Sequence, residues 1–141
     1  MLIENELYDK IREVLPTVCV DLLVTNEQKE YLLAKRTEKP AQGSWWFPGG
    51  RIRKGETWQA CARRKGLEEL GIDMPIGNLI SVENYFADDA DWHTVNLVVH
   101  AYFSHRIIEL DRRHAEYRWT NHIEDGLHNC VTNPLRRYGF K

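Results

Sequence analysis

The chain lacks the features that would place it in an oxidising or lipid environment. Its cysteines, Cys19, Cys61 and Cys130, are odd in number and have no CxxC spacing. This argues against a disulfide framework or a CxxC zinc site. Long apolar runs are missing too. The longest, Val18 to Val24, contains Asp21 and is far too short to cross a bilayer, so no membrane contact is expected. The opening residues Met1-Leu2-Ile3-Glu4-Asn5-Glu6 are acidic and carry no signal-peptide pattern, so a cytoplasmic location is the expectation. An excess of one charge is also lacking: 19 Lys and Arg face 21 Asp and Glu, a formal net charge of −2, with no basic block. Nucleic-acid binding therefore has no electrostatic support, and no nucleic-acid partner is expected. An anionic small molecule would have to be held by a few placed cations and a metal. No repeat or linker divides the 141 residues, so one domain over residues 1–141 is expected.

What is present reads as a mixture of strands and helices. Ile3, Leu7, Ile11 and Val14 recur at helical spacing, which predicts a short amphipathic helix over residues 4–14, ended by Pro16. Residues 17–25 and 30–36 are β-rich runs joined by Asn26-Glu27-Gln28-Lys29, a hairpin pattern. Residues 40–44 form a loop, and Trp45-Trp46-Phe47 is a short apolar run stopped by Pro48-Gly49-Gly50. A helix is predicted over residues 57–70, closed by Gly71. Strands are predicted over 79–86, 94–103 and 116–120, with an acidic loop at 87–91 and short helices after Ile123. Hairpins precede the one long helix, so the pattern points to an α+β fold with a mixed sheet rather than a doubly wound parallel sheet.

The most informative segment is Gly50 to Ile72, GRIRKGETWQACARRKGLEELGI. Gly50, Glu56, Arg64, Glu68, Glu69 and Gly71 fall in a fixed register. At roughly 7% usage per residue type, six such matches arise by chance on the order of 10⁻⁷. On a helix, Arg64/Glu68 and Lys65/Glu69 are i,i+4 pairs on one broad face. Adjacent carboxylates repel unless a cation lies between them, and hard oxygen donors suit Mg²⁺ or Mn²⁺. The plainer reading is solvated ion pairs, contributing about 0.2–0.5 kcal/mol each.

With Phe47-Pro48-Gly49 before it, this segment resembles the Nudix box, Gly-x5-Glu-x7-Arg-Glu-U-x-Glu-Glu-x-Gly-U, where U is aliphatic. The resemblance implies a Nudix-like α/β/α sandwich, hydrolysis of a nucleoside diphosphate derivative, and Mg²⁺ as cofactor, with Mn²⁺ as a substitute. Two positions depart from the box. Lys65 stands where a glutamate is usual, and Gly66 replaces an aliphatic residue, which costs a helix about 1 kcal/mol against alanine.

Residues 20–57 also resemble the N-terminal half of GDP-mannose mannosyl hydrolases, a subfamily whose box lacks the same carboxylate. The run Asp111-Arg112-Arg113-His114-Ala115-Glu116-Tyr117-Arg118-Trp119 resembles the subfamily segment that carries a catalytic histidine. In that subfamily water attacks the anomeric carbon and nucleoside diphosphate leaves. The resemblance implies functional positions for Asp21, Arg36, Arg64 and His114. Arg36 and Asp21 would hold substrate, Arg64 would orient the glutamates, and His114 would be the general base. Gly50 and Glu69, with Glu68 in support, would bind the metal. It also implies a homodimer. Arg113 stands where the subfamily has a metal-binding glutamine, and arginine cannot ligate a metal.

Read without the resemblance, these residues keep other roles open. Asp21 could be a buried carboxylate paired for structure, Arg36 an edge-strand charge and His114 a turn residue. Glu56 could serve the helix N-terminus. Trp45, Trp46 and Trp119 read as core rather than base-stacking surface, and Asp88, Asp89 and Asp91 as a solvated loop. Three functions remain in view: a nucleotide-sugar glycosyl hydrolase, a pyrophosphohydrolase cutting P–O–P in a nucleotide sugar or (d)NTP, and a nucleotide-sugar-binding module without turnover.

Overall fold

The computed structural model describes residues 3–38, 40–87, 92–104 and 116–141. Its elements are α1 (Asn5–Val14), β1 (Thr17–Thr25), β2 (Tyr31–Lys35), β3 (Trp45–Trp46), β4 (Gly49–Arg51), α2 (Trp58–Leu70), β5 (Ile76–Phe86), β6 (His93–Tyr102), β7 (Tyr117–Thr120) and α3 (Asn129–Tyr138). The strands form a mixed sheet with β3-β2-β1-β6-β5 in order; β4 pairs with β1 and β7 with β2. The β1/β6 ladder is parallel and the other ladders are antiparallel.

Period-2 alternation divides the core into two layers. Val20, Leu22 and Val24 of β1, with Leu32, Val99 and Ala101, pack against Cys61, Ala62 and Leu70 of α2. The opposite face carries Leu23, Tyr31, Leu33 and Val98 against Cys130, Val131 and Leu135 of α3. A helix thus covers each face of the sheet, giving the expected α/β/α sandwich. Helix α2 presents Ala62, Gly66 and Leu70 at four-residue intervals, and all three are buried. The Thr57 hydroxyl accepts from the Ala60 amide at 3.1 Å to start this helix, and Gly71, at φ 71°, ends it. Gly66 faces the flexible end of a side chain: a Cβ there would meet Met74 Cε at 2.9 Å.

Three elements differ from expectation. Strand β5 begins at Ile76, three residues before the predicted start, and bulges between Ile76 and Ser81. Gly77-Asn78 reads as a turn locally, but Gly77 lies against His100, where a Cβ would meet Nδ1 at 3.1 Å. Gly49 and Gly50, predicted as part of the stop Pro48-Gly49-Gly50, open the strand Gly49–Arg51 because Cys19–Asp21 supply its ladder partners. Helix α1 forms over the expected residues but buries none of them; Leu7, Val14 and Leu15 are 47%, 75% and 60% exposed. It approaches the rest of the fold through cations on rings: Arg51 over Tyr8 at 4.3 Å and Arg12 over Trp92 at 3.8 Å. No helix among the described residues is long and apolar enough to cross a membrane.

Candidate active site

On the α3 side of the sheet the character changes along β1 and β6. Leu23 and Val98 are core, whereas Thr17, Cys19 and Asp21 of β1 and Thr94 and Asn96 of β6 line a cavity of about 330 Å³. That volume lies at the lower end of the range for small-molecule sites. Arg36, Trp46, Gly49 and Gly50 also line it, with Tyr8 and Trp92 among the remaining lining residues.

Asp21 is the central charge. Its Oδ2 accepts from Asn96 Nδ2 at 2.8 Å and from the Trp46 indole at 3.3 Å. Burial pushes its carboxyl up to about 6; the hydrogen bonds from Asn96 and Trp46, and the charge of Arg36, act in the other direction. Arg36 is tied down at Nε, which donates to the Pro40 carbonyl at 2.7 Å. Its backbone closes the 36–44 loop through Arg36 N to Ser44 O at 2.9 Å and Gly43 N to Arg36 O at 2.8 Å. Cys19, beside Asp21, is held as a neutral thiol: burial and the neighbouring carboxylate push it up to about 12.

Strand β4 brings this cavity to the charged face of α2. Gly49 sits opposite Asp21 in the ladder, so close that a Cβ would stand 2.1 Å from the Val20 carbonyl oxygen and 3.0 Å from Asp21 Oδ1. Arg64 reaches the next turn of backbone, donating to the Arg51 carbonyl at 3.0 Å. The same guanidinium clasps Glu56 through two bonds of 2.7 and 2.8 Å and meets Glu68 at 3.2 Å. The Arg64 clasp holds the Glu56 carboxyl down at about 2. For Glu68, partial burial opposes ionisation, but Lys65 and Arg64 outweigh it and keep the carboxyl below its ordinary range. Lys65 Nζ lies 3.1 Å from both Glu68 Oε2 and Glu69 Oε1, while the Tyr117 hydroxyl donates to Glu69 Oε2 at 3.2 Å.

The sequence-predicted residues therefore fall into two groups. Asp21, Arg36 and Gly50 meet at the cavity, whereas Arg64, Glu68 and Glu69 do not line it and form an ion-paired cluster on α2. His114 lies outside the described residues, as do Arg113, Asp88, Asp89 and Asp91. Trp46 is buried core and cavity lining at once. Sequence reasoning missed Asn96 and Thr94, although polar residues alternating into an otherwise apolar strand were a visible signal. It also missed Tyr8, because α1 appeared from its pattern to be no more than a packing helix.

The clasp yields a stability prediction. Glu56→Gln is expected to destabilise the protein by about 2 kcal/mol at neutral pH, since it breaks a partly buried, doubly hydrogen-bonded charged pair. The carboxyl is depressed in the fold, so this contribution is full above the ordinary value of 4.5 and disappears as pH falls through about 2. Urea denaturation of both proteins across that window checks it: the gap should close on acidification, and a constant gap would assign the loss to packing.

Comparison with known proteins identifies this arrangement. The NUDIX domain model matches residues 15–125, most of the chain, including Asp21, Arg36 and the whole of the α2 cluster. The chain belongs to the Nudix family. It is similar to the low-salt glycan biosynthesis protein Agl8 of Haloferax volcanii, 28% identical over 139 residues, covering 94% of this chain and 88% of that protein. It is also similar to an ADP-ribose pyrophosphatase of Methanocaldococcus jannaschii, 31% identical over 83 residues, covering 59% of this chain and 48% of that one. A third relative, the ADPR responsive transcriptional repressor NtrR of Acinetobacter baylyi, is 29% identical and covers 85% of this chain, which spans 50% of the repressor. Among solved structures, a MutT NUDIX hydrolase from Burkholderia pseudomallei shares the fold with a TM-score of 0.74, at 24% identity over 87% of this chain and 98% of that one. The Nudix box here is thus Gly50 to Ile72, with Lys65 and Gly66 as its departures.

Proposed function

We propose that this Nudix protein hydrolyses a nucleoside diphosphate sugar, GDP-mannose or a close analogue, to nucleoside diphosphate and free sugar by attack of water on the anomeric carbon. The observation that carries the reading is the cavity, where Gly49 and the first glycine of the box, Gly50, form a wall beside a buried carboxylate and a fixed arginine. Arg36 supplies positive charge for the diphosphate as negative charge builds on the leaving group. Asp21 supplies a carboxylate that is ionised above about pH 6, suited to an electron-poor sugar carbon. His114 is the proposed general base. Lys65 in place of the usual box glutamate weakens the case for attack on phosphorus. A relative named for glycan biosynthesis agrees with a sugar nucleotide as substrate.

Nudix hydrolases generally use divalent metals such as Mg²⁺. The residues present do not make a ready cage for one. Among the described residues no group of three or more His, Cys, Asp and Glu side chains converges on a point. Gly50, Glu68 and Glu69 do come together, but around the Lys65 ammonium. The steps above therefore rest on the protein's own side chains.

Two relatives keep other readings open to the same experiment. The ADP-ribose pyrophosphatase favours P–O–P cleavage, and the ADPR-responsive repressor favours binding without turnover. A panel of nucleotide sugars in ¹⁸O-labelled water distinguishes them. Label in the free sugar with unlabelled nucleoside diphosphate is the expected result. Label in a phosphate-bearing product, with sugar phosphate released, overturns it in favour of the pyrophosphohydrolase, and binding without product favours the binding module. The exposed apolar residues of α1 support a second copy of the chain as partner, a reading that sedimentation equilibrium tests.

A further inference from the structure

The box contains a charge balance that its sequence pattern alone does not reveal. Arg53, Arg64 and Lys65 are ion-paired with Glu56, Glu68 and Glu69, so three cations face three carboxylates and the cluster is neutral. With the usual glutamate at position 65, two cations would face four carboxylates, a deficit of two charges that one divalent ion cancels. Replacing that glutamate by lysine changes the local charge by the same amount as adding the ion. The geometry agrees with the arithmetic. The Lys65 side chain is 15% exposed and lies along Gly50, where a Cβ would stand 2.7 Å from Lys65 Cε and 3.1 Å from Nζ. From there its ammonium bridges Glu68 and Glu69 at 3.1 Å each. Tyr117 fixes the other oxygen of Glu69.

We propose that the Lys65 ammonium is a tethered cation that takes the place of one divalent ion in this Nudix box. The resting box is then closed to a metal by an occupant of its own chain, whose stem lies along Gly50. This holds whichever bond of a substrate is cut.

The test is Mn²⁺ binding to the metal-stripped protein, read by electron paramagnetic resonance without substrate. Lys65→Glu is expected to tighten Mn²⁺ binding at least tenfold, because it restores the missing negative charge beside Glu68 and Glu69. Lys65→Met, which releases those carboxylates without adding one, should fall between the two and decides the matter if Lys65→Glu does not fold. Glu69→Gln should change the binding of the wild-type protein less than twofold, yet remove the gain in the Lys65→Glu background. Wild-type protein that binds Mn²⁺ as tightly as Lys65→Glu, or that loses tenfold on Glu69→Gln, would overturn the proposal. The readout involves no turnover. A protein that passes this test and yields no free sugar from nucleotide sugars fails the functional reading alone, and the converse result fails the tethered cation alone.

Discussion

In His114→Ala, turnover of the nucleotide sugar is expected to fall by roughly 10²–10⁴, the range that positioned acid–base catalysis contributes. An imidazole base should make the wild-type rate rise with pH around 6–7. Asp21 complicates that limb, because its buried carboxyl also titrates at about 6. As pH falls through that value the carboxylate beside Arg36 is lost, so the two groups act on the same side of the profile. Variants separate them. His114→Ala should keep an acid limb near 6 at a much reduced plateau, and Asp21→Asn should keep only the histidine limb. A loss below tenfold in His114→Ala, with the profile unmoved, would transfer the base role to another group. Asp21 also leaves a trace in stability. Its carboxyl is raised in the fold from 3.8 to about 6, so its contribution is full below 3.8 and is lost as pH rises through about 6. The difference corresponds to about 3 kcal/mol. Asp21→Asn should therefore gain on the wild type between acidic and neutral pH, as thermal unfolding across that window would show.

The second large effect is expected at Gly49. In Gly49→Ala the added methyl would stand 2.1 Å from the Val20 carbonyl oxygen and close to Asp21, both parts of the ladder between β1 and β4. Backbone cannot yield there as a flexible side chain could, so the strand must separate. The expected cost is about 3 kcal/mol, the upper end for overpacking, with loss of activity because Gly49 and Gly50 form a wall of the cavity. Gly66→Ala provides the contrast: its methyl would press on the flexible end of Met74, with the Ile72 carbonyl at an ordinary 3.5 Å, and a gain of about 1 kcal/mol in helix propensity offsets that contact. Chemical denaturation of both variants checks the pair. A Gly49→Ala protein within 1 kcal/mol of wild type would show that the two strands have room to spare.

Much of the architecture could be read from local chemistry. The helix predicted over 57–70 with Gly71 as its stop forms over Trp58–Leu70, because the signals that bound a helix act within one or two turns of chain. The Asn26–Lys29 turn followed for the same reason, with the Asn26 side chain accepting from the amides of Gln28 and Glu30 at 3.0 Å each. The run Val18 to Val24 stood out as apolar, and Asp21 as the charge that broke it. Strand β4 and the start of β5 were not legible. Their glycines carry no strand propensity and owe their extended form to partners distant in sequence, Cys19–Asp21 for the one and β6 for the other.

The same division holds for the site. The sequence by itself determined the Nudix family register, the residue types available for chemistry and the substitution of Lys65 for a carboxylate. Only the tertiary structure decided what those residues face. Arg64 was legible as a box arginine, but its clasp on Glu56 and its bond to the Arg51 carbonyl depend on how α2 packs against β4. Asp21 was legible as a charge in an apolar strand, but its value near 6 comes from its burial in the fold, offset in part by the hydrogen bond from Asn96 on a parallel strand 75 positions away. Lys65 was legible as a missing ligand and as a helical partner of Glu69, but that its stem lies along Gly50 depends on the approach of β4 to α2. Propensity and spacing act along the chain. Electrostatic environment depends on distance through space, and the fold sets that distance.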